Sequence, residues 1–118
     1  MLAWDESDVL TCLETIPEIE PDGICYHYKV DKRGAKLDLT IYPYDGDVYF
    51  ELYHNDAEQP LFSMKLLECS GVRYVKKWPI EYLEFAPAKC FGNRYDGESA
   101  IPYGVRVHAS PNIRIEIF

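Results

Sequence analysis

The sequence predicts an α+β fold in which one short amino-terminal helix packs on a mainly antiparallel meander sheet of about 6–8 strands, open to strong curvature. Three observations carry that expectation. A helical repeat of apolar residues is confined to residues 5–16, a period of two takes over from Ile24, and turn-forming dipeptides punctuate the alternating stretch. With 118 residues, 47% of them hydrophobic, the chain can bury one core, and a single domain over 1–118 is expected.

The helix comes first. Val9, Cys12, Leu13 and Ile16 recur at i, i+3, i+4 and i+7 and share one face, Asp5 or Ser7 can cap the amino end, and acids in the first turn suit the macrodipole. Pro17 and the Pro21-Asp22-Gly23 cluster end it. A helix this short is not stable alone, so its stripe must lie on the apolar face of the sheet.

The sheet is expected to span 24–118. With Arg33-Gly34 as a two-residue loop, Val30 opposes Leu37, Tyr28 opposes Leu39, Tyr26 opposes Ile41, and Lys29 meets Asp38. Asp45-Gly46 is the dipeptide preferred in type I′ hairpins; as a two-residue loop it sets Tyr42 opposite Tyr49, Ile41 opposite Phe50 and Leu39 opposite Leu52. A one-residue slip in either hairpin would put apolar residues against polar ones. The loop from Asn55 to Pro60 leads to a fourth strand carrying Phe62, Met64 and Leu66. The buried face is then Ile24, Tyr26, Tyr28, Val30, Leu37, Leu39, Ile41, Val48, Phe50 and Leu52 together with those three.

Further on, Ser70-Gly71 turns the chain into a strand over Val72–Val75, with Glu68 near Arg73, and Ile80–Phe85 forms another strand after Pro79. Residues 86–104 show no sustained period and read as a long loop. The carboxyl end is a hairpin turning at Ser110-Pro111-Asn112, with Arg106 opposite Glu116.

Charge separates the function classes. Residues 1–28 hold seven acids and no Lys or Arg, whereas the remainder holds thirteen acids against twelve bases, so nearly all of the net −8 sits at the amino end. Phosphate backbones and anionic membrane surfaces are held by clustered Lys and Arg, so neither nucleic acid nor a membrane is an expected partner; a basic protein is. The chain opens without a positive n-region or a long apolar stretch, and its four cysteines include no Cys-x-x-Cys pair. Free thiols in a cytoplasmic protein are expected, and neither a metal nor a cofactor is. Phosphate-binding glycine motifs are absent as well.

The candidate binding residues lie on the polar face of the first four strands and in the long loop. Tyr42, Tyr49 and Tyr53 share that face with His27, Thr40 and Glu51, and tyrosine beside polar groups is the composition enriched in protein interfaces. His27, Glu51 and Ser63 are the residue types of a nucleophilic triad, but the expected strand order sets His27 and Ser63 roughly 14 Å apart, so no catalytic residue is assigned. Arg94 and Tyr95 are the binding candidates of the 86–104 loop.

The chain carries no family's motif. In general character alone, a small acidic domain with an exposed tyrosine-bearing sheet resembles bacterial immunity proteins that cap toxins, which implies a non-enzymatic domain that binds and inhibits a basic protein. Two alternatives are a small-molecule or minor hydrolase site under the 86–104 loop, with Arg94 gripping an anion, and self-association through an edge strand at Ile113–Phe118.

Overall fold

The computed structural model describes residues 1–88, 96 and 99–118. The α+β class is borne out, and the expected meander occurs twice. After helix α1 (Glu6–Leu13), the strands β1 (Glu18–Ile19), β2 (Tyr26–Lys32), β3 (Ala35–Tyr42), β4 (Asp47–His54) and β5 (Phe62–Leu66) form one antiparallel sheet in sequence order. The strands β6 (Gly71–Lys77), β7 (Ile80–Ala86), β8 (Val105–His108) and β9 (Arg114–Ile117) form a second. Each sheet contributes an apolar face to one shared core, in which the Phe50 and Phe85 rings meet edge to face at 5.1 Å. Both rings are fully buried.

Asp5 caps α1, accepting from the Ser7 amide at 2.8 Å. The helix stops at Glu14, whose left-handed backbone (φ 54°) directs its N–H to the Leu10 carbonyl. It is shorter than expected, and Ile16 therefore leaves the buried stripe and stands 85% exposed. Val9, Cys12 and Leu13 do bury, against β6 and β7. The stripe thus lies chiefly on the second sheet rather than on the first four strands. The link to the first sheet is polar and aromatic: Tyr26 donates to Glu6 at 2.6 Å and packs against Trp4.

The first hairpin has the expected register, with Arg33 and Gly34 both at positive φ. The second is shifted by two residues. Ile41 pairs with Val48, Leu39 with Phe50 and Leu37 with Leu52, across a four-residue loop from Pro43 to Gly46. Only Gly46 of the Asp45-Gly46 pair has positive φ, so a type I′ turn does not form. Pro43 has no N–H for a ladder and favours the start of a turn instead. Gly46 then donates to the Tyr42 carbonyl at 2.8 Å, and a side chain in its place would come within 2.9 Å of the Cys69 carbonyl. Because the shift is two residues, every side chain keeps its face.

Two further expectations are corrected. Ile24 is half exposed because it caps the helical turn Pro21–Gly23, with helical backbone of its own, and precedes the strand. Arg73 pairs with Glu84, its neighbour on β7, and not with Glu68. The segment between β5 and β6 crosses from one sheet to the other, so it is no hairpin, and the Glu68 amide instead donates to Asp47.

The face assignment is testable by mutation. Phe50→Ala is expected to cost about 3–5 kcal/mol in a urea melt by leaving a cavity between the sheets, and Tyr49→Ala, one residue away on the outer face, about 1 kcal/mol. Equal losses would contradict the packing.

Candidate protein-binding surface

The outward parity of the first sheet collects His27 from β2, Thr40 and Tyr42 from β3, Tyr49, Glu51 and Tyr53 from β4, and Ser63 and Lys65 from β5. One row runs His27, Thr40, Tyr49, Lys65, and the next runs Lys29, Asp38, Glu51, Ser63. The shift in the second hairpin moves Tyr42 from opposite Tyr49 to opposite Asp47, yet the two tyrosine rings still meet diagonally at 5.3 Å. Lys65 sits over the Tyr49 ring at 5.2 Å, and the Tyr53 hydroxyl donates to Glu51 at 3.2 Å. These rings are half buried, so each retains an exposed apolar surface beside a polar tip. Burial and the Glu51 charge raise the Tyr53 hydroxyl above its usual range.

Five of the seven candidate binding residues, His27, Tyr42, Tyr49, Glu51 and Tyr53, therefore share one surface. Arg94 and Tyr95 lie outside the described residues, as does the 89–95 stretch of the 86–104 loop on which the alternative site depends. His27 and Ser63 stand on β2 and β5, three strand spacings apart as expected, and the His27 ring is engaged through Nδ1 with Thr40 Oγ1 at 3.2 Å.

Two features were missed in the sequence. Cys25 shares the outward parity of His27 but is buried, with its sulfur 3.3 Å from His27 Nε2 and the Tyr42 hydroxyl in hydrogen-bonding reach. Its thiol is pushed up by burial, with the Tyr42 hydroxyl opposing and the Glu20 charge adding to the rise. The signal was the spacing Cys25-x-His27, which on a strand sends both side chains to one side. Trp78 is the other; it stands 87% exposed at the tip of the β6–β7 hairpin beside Ile80.

The outward face of the second sheet is closed by charge. Arg73, Glu84, Arg106 and Glu116 form one cross-strand row of alternating sign. Glu84, only 2% exposed, accepts from Arg73 at 2.7 Å and from Arg106 at 2.9 Å, and Arg106 also stacks on the Phe118 ring at 4.0 Å. His108 Nε2 lies 2.7 Å from Glu116 Oε1. Strand β9 is the edge of this sheet and exposes Ile117, while Phe118 is paired with Gly104 through two backbone bonds.

No protein-family model matches the chain, and no curated protein matches it in sequence. Its fold does match a solved structure. One chain of a contact-dependent growth inhibition toxin–immunity protein complex from Klebsiella pneumoniae 342 superposes with a TM-score of 0.76 at 16% identity, over 99% of this chain and 96% of that chain. The likeness shows a shared fold. Among the described residues, no helix is long and apolar enough to cross a membrane.

The Glu116 pairing predicts a pH dependence. A hydrogen bond from His108 first, then the charges of Arg114 and His108, hold the Glu116 carboxyl below its ordinary value of 4.5 against the opposing effect of burial. A carboxylate depressed in the folded state adds stability above its unfolded value and loses it as pH falls through the folded one. Wild type is therefore expected to exceed Glu116→Gln in stability at neutral pH, with the gap closing below about pH 4.5 in melts across that range. A gap that stays constant down to acid pH would contradict the pairing.

Proposed function

We propose that this chain is a non-enzymatic, immunity-type protein that binds a toxin through the outward face of the five-stranded sheet. One observation carries the proposal: the fold likeness spans nearly the full length of both chains, and the neighbour was solved in a complex of a toxin with its immunity protein. Of the two roles in such a complex, the inhibitor needs only a complementary surface. The residues here favour that role. His27 and Ser63 are held on strands three spacings apart, and Cys12 and Cys69 are buried in the core with thiols raised to about 12 by desolvation.

Tyr42, Tyr49 and Tyr53 supply rigid amphipathic anchors of the kind that dominate interface energetics, with His27 and Glu51 as polar partners among them. Glu18 and Glu20 adjoin this face through β1, which pairs with β2, and with the other acids of residues 1–28 they favour a basic toxin by steering. The proposal implies a single acidic domain acting in the cytoplasm, where free cysteines persist.

The test is neutralisation. A polypeptide cross-linked to the chain in its own cells is expressed alone and then together with the chain; growth arrest in the first case and growth in the second is the expected result. A partner that is harmless alone would refute the toxin assignment. Tyr49→Ala is expected to weaken the complex about thirtyfold, corresponding to a loss of about 2 kcal/mol. The association rate should fall at least about tenfold from low to high salt. A rate indifferent to salt would remove the acidic docking component.

A further inference from the structure

We propose that Glu20, Cys25 and His27 form a zinc-binding site at the β1–β2 edge of the five-stranded sheet. Local geometry assembles it. Cys25 and His27 stand two residues apart where the chain enters β2, so both side chains leave the same face. Strand β1 pairs Glu18 with His27, and the ladder continues when the Glu20 amide donates to the Cys25 carbonyl at 2.9 Å. That pairing returns Glu20 alongside the other two.

Two of the three spacings between the ligand atoms are already near-tetrahedral. Cys25 Sγ lies 3.3 Å from His27 Nε2, Glu20 Oε1 lies 3.5 Å from the same nitrogen, and all three atoms fall within 4.8 Å of one another. Zinc bonds of about 2.3 Å to sulfur and about 2.0–2.1 Å to nitrogen and oxygen, at tetrahedral angles, place sulfur and nitrogen about 3.5 Å apart and nitrogen and oxygen about 3.4 Å apart. The Glu20 side chain is 56% exposed and free to close the remaining distance.

A hydrogen-bonded cluster explains the arrangement less completely. A single ring nitrogen makes one linear hydrogen bond, with Sγ or with Oε1, so a proton on it links only two of the three atoms. One ion between them engages all three at once. The surroundings are also those of a metal site. His27 Nδ1 lies 3.2 Å from Thr40 Oγ1; with the proton on Nδ1 that contact holds the ring so that the Nε2 lone pair faces Cys25 and Glu20, and the Tyr42 hydroxyl reaches the sulfur. On binding, the thiol proton passes to solvent; thiolate and carboxylate then balance the 2+ charge, with water from the exposed Glu20 side as the fourth ligand.

The experiment needs no partner, so it fails or succeeds independently of the toxin assignment. The purified chain, kept reduced by a phosphine, is titrated with Co2+ and then with Zn2+. One equivalent of Co2+ should give a thiolate charge-transfer band and tetrahedral visible bands, both displaced by Zn2+. Cys25→Ser should abolish the charge-transfer band while circular dichroism confirms the fold, and Cys90→Ser should retain it. Glu20→Gln changes only an exposed side chain and should weaken Zn2+ affinity at least about tenfold; Thr40→Val should weaken it about 10–100-fold through the imidazole. Absence of the band, its survival in Cys25→Ser, or wild-type affinity in Glu20→Gln would overturn the assignment.

Discussion

The structure depends on two small sheets covering each other's apolar faces. Neither sheet can shield its own inner side, and α1 is too short to cover one alone, so Phe50 and Phe85 meet at the centre of a core drawn from both. The amino-terminal segment fastens the arrangement along one rim. Leu2 donates to the Pro43 carbonyl in the first sheet's second hairpin, while Ala3 bridges Gly71 at the start of the second sheet. The Pro43–Gly46 turn is part of the same junction, since Gly46 also accepts from the Cys69 amide between the sheets.

Because the core consumes one parity of each sheet, the other parity is free to specialise, and the two outward faces have done so differently. On the second sheet, alternating cations and anions neutralise one another across four strands and leave Glu84 buried beneath two arginines. Such a surface is internally satisfied. On the first sheet, tyrosine rings lie among unlike polar groups and adjoin an acidic edge, so the aromatic area and the uncompensated charge face outward together. This contrast supports the first sheet, rather than the second, as the face offered to a partner.

The same outward face holds the convergence of Glu20, Cys25 and His27. Its members come from both sides of the Pro21–Gly23 turn, and only pairing of β1 with β2 brings the carboxylate back to the other two. Cysteine spacing along the chain could not indicate it, because the ligands include one cysteine and depend on a strand of two residues that no periodicity marks.

Alternation of apolar and polar residues by itself determined the class, the strands from β2 to β5 and which of their side chains turn inward, since a side-chain period of two is a local property of extended backbone. It also determined the Arg33-Gly34 register, the Arg106–Glu116 pairing and the shared face of His27, Tyr42, Tyr49, Glu51 and Tyr53. Tertiary structure decided the rest. The Asp45-Gly46 hairpin widened by two residues because its tip docks against the inter-sheet junction, an interaction no local turn preference contains. The division into two sheets, the helix resting on the second of them, and Arg73 reaching Glu84 instead of Glu68 all follow from covering two apolar faces at once, a demand set by the whole chain and carried by no single segment of it.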